Sequence, residues 1–234
     1  MQTLFKTITG SRLYNLNTPD SDTDYSGFGF PKYEDLIGLG ECEQVEMKDK
    51  DNNVEGKIYT IKKYFQLLIK GNLSIIEIAW AKPEYHIECT ELARDIILPF
   101  VRSNFTTKKI FSPLNSYYRA MVSDVERLRT HGNRKDLLDK FGFDSKAASH
   151  AARVGFYCIQ IMSNGCLNPT LEGETREICF DIKTGKYTLA ESLDVLNRLN
   201  KEMYDAYKAS TIPESFNYNT VEQFLMKLHR NYLQ

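Results

Sequence analysis

Nowhere among the 234 residues is there an uncharged run approaching the ~20 positions that a membrane helix needs, so no helical span is expected. The first eight residues are interrupted by Lys6 and run straight into a polar turn, so they lack the apolar core of a secretion signal. Cysteine is sparse and scattered. The five thiols, Cys42, Cys89, Cys158, Cys166 and Cys179, form no Cys-x-x-Cys pair and have no histidine at metal-ligand spacing, which argues against zinc. Their odd number fits a reducing compartment, and a cytoplasmic protein with no membrane partner is the expectation. Net charge is also nearly absent: 30 Lys and Arg against 31 Asp and Glu leave -1. The molecule as a whole therefore does not attract polyanions, and any such site must be local. Internal repeats and low-complexity tracts are lacking too.

Hydrophobic residues make up 42% of the chain and aromatic residues 12%, enough for one sizeable core or two small ones. An apolar run from Leu4 to Thr9 ends at Gly10-Ser11 and reads as a strand leading into a turn and a helix start. A loop dense in Asn, Thr, Pro, Asp and Ser covers Asn15 to Ser21, and an aromatic, alternating stretch from Asp22 to Phe30 reads as a second strand. Glu34 to Glu55 is acidic, carries the turn signal Asp51-Asn52-Asn53, and reads as a surface excursion or hairpin. Ile61, Tyr64, Phe65, Leu68 and Ile69 recur at helical spacing up to Gly71. Ser74 to Ala79, short and rich in isoleucine, predicts a buried strand.

Beyond Pro83 the periodicity is helical over Glu88 to Arg102, Ser112 to Arg129, Ser145 to Ser163, Leu189 to Ser210 and Thr220 to Leu233. The fold class expected is α+β: an N-terminal domain over residues 1–105, with a small mixed sheet and helices, followed by a helical C-terminal domain over residues 106–234. Asn104, Thr106, Thr107 and Pro113 break the pattern at that boundary.

The chemistry is concentrated near the start. Asp22 and Asp24, two residues apart on a strand, project to the same side about 6 to 7 Å apart at the backbone. Such a pair suits a hard divalent cation, because magnesium prefers oxygen ligands and completes its shell with phosphates and water. Gly10-Ser11 at a helix head supplies backbone N–H groups and a hydroxyl for outer phosphates, and Gly10 lets the backbone approach closely. Glu77, within an apolar run, needs a partner for its charge, and a metal would be one. Each feature alone has a commoner structural explanation: a turn, a solvated Asp-x-Asp, or a Glu77 ion pair with Lys62 or Lys63. Their co-occurrence, with ten residues between Ser11 and Asp22, carries the functional reading.

These residues resemble the DNA polymerase beta type nucleotidyltransferase superfamily. They are closer still to its RNA-ligase-associated branch, common in phages and bacteria. The resemblance rests on Gly10-Ser11-Arg12, Tyr14, Pro19, Ser21-Asp22-x-Asp24 and Lys70-Gly71-Asn72 leading to Glu77. It continues weakly through Lys146, His150, Arg153 and Ile182-Lys183-x-Gly185. Asn15 and Leu73 depart from the branch pattern, which has Gly and Pro there, but Asn tolerates a left-handed backbone. The resemblance implies a polymerase-beta-like N-terminal domain that moves an NMP from an NTP, ATP included, to an acceptor hydroxyl. The acceptor would be RNA, tRNA among the candidates, in end repair or modification. Two magnesium ions, with manganese as the alternative, would be held by Asp22, Asp24 and Glu77. Nucleotidylation of a protein or small-molecule hydroxyl, and a non-catalytic nucleotide- or RNA-binding module, are the competing readings.

Residues 102–153 hold eleven Lys and Arg against five acids, a local excess of six. Lys146, His150 and Arg153 stand at i, i+4 and i+7 on one helix face, where they could meet a triphosphate or an RNA backbone; a solvated surface is the plainer alternative. With Gly10, Ser11, Arg12 and Lys183 they complete the candidate phosphate contacts.

Overall fold

A computed structural model describes residues 1–37, 42–49, 54–130 and 134–232. The chain divides into two compact units, Met1–Thr107 with Glu214–Gln234, and Lys108–Pro213.

The first unit is built on a mixed sheet. β1 (Gln2–Thr9) leads through the one-turn α1 (Gly10–Leu13) and a loop to β2 (Thr23–Phe30), and α2 (Tyr33–Ile37) follows. β3 (Gln44–Asp49) and β4 (Val54–Thr60) form an antiparallel hairpin within the acidic excursion; the Asp51-Asn52-Asn53 turn lies outside the described residues. α3 (Ile61–Ile69), α4 (Leu73–Ala79), β5 (His86–Cys89), a π-helical turn (Ala93–Ile97) and α5 (Leu98–Phe105) complete the run. Strand order is β3-β4-β2-β1-β5, with β2 and β4 parallel and the other pairs antiparallel. Phe5, Phe28, Tyr64 and Phe65 are fully buried, and the Phe28 and Tyr64 rings meet at 4.4 Å.

Two elements differ from the sequence reading. Ser74 to Ala79 lies in α4 rather than in a strand: Asn72 caps it by accepting from the Ile75 N–H at 3.3 Å, after a turn in which Gly71 takes φ +69°. A short apolar run buried continuously from Ile75 to Ala79 shows neither period clearly, and the cap marks where the helix starts. The stretch from Glu88 begins as β5, paired with β1, and turns helical only after Thr90, whose hydroxyl accepts from the Ala93 N–H.

The second unit is helical: α6 (Phe111–Glu126), α7 (Lys135–Phe141), α8 (Ser145–Asn164), α9 (Gly173–Lys183) and α10 (Leu189–Ala209). α7 and α9 lacked a long enough periodicity to be read. α8 is the central helix, with Ala148, Ala151 and Ala152 fully buried. At Gly155 a Cβ would sit 3.2 Å from both Leu199 and Tyr118, so neighbouring helices approach closely there. Buried Ser149 donates from Oγ to the Cys179 carbonyl, and Ser145 to that of Lys183, tying α8 to α9.

The last helix, α11 (Tyr218–Tyr232), belongs to the first unit. Phe224 stacks on Phe100 at 3.6 Å, Tyr232 stacks on Phe30 at 3.9 Å, and the Tyr232 hydroxyl donates to the Pro31 carbonyl. Aromatic burial thus returns the end of the chain to the sheet.

Candidate active site

Sheet register assembles the site. Asp24 stands opposite Thr9 on β1 and, on its other side, opposite Glu55 on the parallel β4. Cross-strand partners share a face, so the Asp24 and Glu55 carboxylates project together. Asp22, two residues earlier, joins them: carboxylate oxygens of Asp22, Asp24 and Glu55 lie within 4.8 Å of one another. Both aspartates are half-buried and Glu55 is exposed. Three hard oxygen donors on one face suit a magnesium-like cation, which would also offset the repulsion among them.

The turn after β1 completes the cup. Gly10 takes φ +65°, and a Cβ there would lie 2.1 Å from Asp24 Oδ2, so only glycine lets α1 start against the carboxylate. The Ser11 hydroxyl is buried with no hydrogen-bond partner among the described residues, a donor left for a ligand. α1 ends through Asn15 at φ +59°, the left-handed backbone expected of it, and the Leu16 N–H donates to the Ser11 carbonyl at 2.8 Å. Arg12 turns inward: Nε donates to the Asp22 carbonyl at 3.1 Å and Nη2 to that of Ser21 at 2.9 Å. These bonds hold the loop that presents Asp22.

Glu77 is not in the carboxylate group. Its helix buries it to 1% exposure, and Oε2 accepts from the Tyr14 hydroxyl at 2.7 Å. Tyr14 caps the end of α1, so Glu77 anchors the element that begins with Gly10-Ser11. Lys63 bridges Glu43 instead of Glu77. Sequence reasoning missed Glu55, because nothing local says that β4 pairs in parallel with β2.

A pocket of about 450 Å³ opens over the site, with Gly10, Tyr14, Asp24, Glu55, Tyr59 and Ser74 in its wall. Lys48 and Lys57 of the hairpin also line it and pair with Glu55 at 3.6 Å and Glu46 at 3.0 Å. These pairs are exposed and therefore weak, so either ammonium is free to exchange partners.

Lys146, His150 and Arg153 come together on α8 of the second unit. Lys183 sits at the end of α9, where its carbonyl meets Ser145. Tyr118, Phe143, Tyr157 and Cys158 are core residues, and burial pushes the Cys158 thiol up to about 12, which leaves it without nucleophilic character.

A mixed sheet with paired aspartates beside a Gly-Ser helix head is the arrangement that carries the resemblance to polymerase beta type nucleotidyltransferases. The chain belongs to the RNA repair pathway DNA polymerase beta family, whose model matches residues 1–211. An uncharacterized 38.9 kDa protein of Enterobacteria phage T4, from the nrdC-mobD intergenic region, is 27% identical over 92 residues. That match covers 36% of this chain and 27% of the phage protein, so it spans about a quarter of the relative's length. A solved nucleotidyltransferase-like protein from Exiguobacterium sibiricum 255-15 aligns with 98% of this chain and 74% of its own, at 12% identity and TM-score 0.33.

Proposed function

We propose that the carboxylate cup transfers an NMP from an NTP to a hydroxyl on RNA, with release of pyrophosphate. The observation that carries this reading is the convergence of Asp22, Asp24 and Glu55 within 4.8 Å on one sheet face beside the Gly10-Ser11 turn. Membership in an RNA repair family supports RNA as the acceptor.

In this reaction the acceptor oxygen attacks the α-phosphorus, the bond to the β-phosphate bridging oxygen breaks, and the hydroxyl proton passes to solvent. Asp22, Asp24 and Glu55 would hold two magnesium ions, with manganese as the alternative; such ions supply a more acidic acceptor hydroxyl and charge neutralisation on the triphosphate. Glu55 takes the third position that the sequence reading gave to Glu77, and Glu77 acts through Tyr14 to keep α1 in place. Ser11 donates its unpartnered hydroxyl to an outer phosphate oxygen. Lys48 and Lys57 can turn from their exposed carboxylate partners to the phosphates.

The test is incubation of the protein with magnesium, labelled NTPs and an RNA pool, alongside total protein and small metabolites. Label on RNA with stoichiometric pyrophosphate is expected, and its loss in Asp24→Asn. Label on protein or metabolites would replace the RNA acceptor. Equal turnover by wild type and Asp24→Asn would remove the site.

A further inference from the structure

A further cavity, of about 380 Å³, lies wholly within the helical unit, between the C-terminal half of α8 and the segment that leads into α9. Its size falls in the range of small-molecule sites. Phe156 and Ile159 supply apolar wall, and Gln160, Asn168 and Thr170 supply polar wall. Phe156 is half-buried, and its ring meets no other ring among the described residues. Glu172 is the sole charged residue among the described residues of the wall, so the cavity offers no cation to a phosphate. The three polar residues are linked to one another. Gln160 Oε1 accepts from the Asn168 N–H at 2.7 Å, and Asn168 Oδ1 accepts from the Thr170 N–H at 3.2 Å. Both amides thus have their oxygens engaged, and both NH2 ends remain as donors. Thr170 is only 8% exposed, and its Oγ1 is buried with no hydrogen-bond partner among the described residues. Such a hydroxyl is destabilising until something pairs it. The Tyr157 hydroxyl donates to the Pro169 carbonyl, which ties the segment carrying Asn168 and Thr170 to α8.

We propose that this cavity receives an unpaired uracil base of the RNA strand. The pairing edge of uracil presents two carbonyls flanking one N–H. Two amide NH2 donors and a hydroxyl that can both accept and donate complement that set, whereas the amino group of cytosine would meet donors. Phe156 offers its ring for stacking, as aromatic side chains do for unpaired bases. A wall with one carboxylate and no cation suits a base carried on a strand, with its phosphates in solvent, better than a triphosphate drawn against the protein. RNA as the source of the base rests on the proposed function, whereas the preference for uracil stands on the cavity alone.

Uncharged nucleosides isolate the base from any phosphate contact. Side-chain amide 1H–15N spectra of the full chain, titrated with uridine and with cytidine, test the pocket directly. The Gln160 and Asn168 signals are identified by their loss in Gln160→Glu and Asn168→Asp. Saturable shifts of both signals are expected in the wild type, with uridine bound roughly tenfold more tightly than cytidine, as befits one hydrogen bond exchanged for a clash of donors. Each variant keeps the oxygen that accepts from the backbone and replaces an NH2 donor by an acceptor, so the segment is retained, and an unchanged melting temperature verifies this. In either variant the preference should reverse toward cytidine, whose amino group then finds an acceptor. A uridine oligonucleotide without terminal phosphates should bind at least as tightly as uridine, and metal-free UTP no more tightly. Equal binding of uridine and cytidine by the wild type, which needs no variant, would overturn the pocket. So would amide signals that ignore uridine at roughly 10 mM, or a folded Asn168→Asp that still prefers uridine. UTP bound tenfold more tightly than uridine would overturn the strand as the source. Selection of uridine by a protein that puts no label on RNA would defeat the acceptor reading and keep the uracil pocket; labelled RNA without selection of uridine would defeat the pocket alone.

Discussion

The two units concentrate opposite charges by different geometry. In the sheet unit, cross-strand register places Glu55 beside Asp24, and the strand's own period brings Asp22 to the same side. In the helical unit, spacing along α8 aligns Lys146, His150 and Arg153, and Arg134 comes from a separate segment. The acids range from half-buried to exposed, whereas on α8 Arg153 is buried and Lys146 is exposed. Like charges held together in a fold are relieved by a counter-charge, which is the property the proposed cation site at the acids draws on. Glu77 is the contrast within the sheet unit: a buried carboxylate that accepts from the Tyr14 hydroxyl.

The largest effect that can break this comparison is at the aspartates. Asp24→Asn is expected to reduce pyrophosphate release by about 10³-fold or more, the several kcal/mol that carboxylate-held cations supply, while the melting temperature holds or rises as repulsion falls. A small loss of activity would mean that the cup is a surface acidic patch.

The two glutamates come next. Glu55→Gln should lower kcat by roughly 10²-fold with little change in stability, as expected for an exposed group acting in the transition state. Glu77→Ala should instead destabilise by about 1–3 kcal/mol, since it removes the acceptor of the Tyr14 hydroxyl and opens a buried space. Glu77→Gln, which can still accept from Tyr14, should restore most of that stability. Denaturant melts and initial rates on the same preparations separate the two roles, and an inverted pattern would return Glu77 to the metal site.

Gly10→Ala sharpens the geometry of the cup. Its methyl group would collide with Asp24 Oδ2 at a left-handed backbone position, so a loss of about 1–2 kcal/mol in stability is expected together with reduced turnover.

The last effect lies in the helical unit and is drawn out only by acid. Burial first, then Arg153, Arg134 and Lys146, hold the folded pKa of His150 at about 3 against an ordinary 6.5, so the unfolded chain binds the extra proton between those values. Stability linked to His150 is therefore fully present above about pH 6.5 and declines as pH falls toward 3, at up to about 1.4 kcal/mol per pH unit. Urea melts at pH 7.5 and 4.5 should show a smaller acid-induced loss in His150→Asn than in wild type.

Much of the site was legible in the residues because its chemistry is local. Gly10, Ser11, Asp22 and Asp24 lie on one strand-turn-strand segment, and turn residues, alternation and spacing report such segments directly. Asn15 declared its left-handed turn for the same reason. Arg12 was legible as a cation near the site but not as a brace, since its partners are carbonyls that carry no sequence signature. The last helix was recognised, yet its place against the sheet rests on Phe224 and Tyr232 meeting rings more than 100 residues away.

By itself, then, the amino-acid order determined the α+β class, the aspartate pair and the glycine-serine turn, all products of interactions within about a dozen residues. Tertiary structure alone decided which glutamate joins the aspartates, because the parallel pairing of β2 with β4 is made across an excursion whose length says nothing about register. It also decided that Ser74 to Ala79 is a helix: continuous burial from Ile75 to Ala79 erases the periodicity by which helices and strands are told apart, and the Asn72 cap marks the helix start.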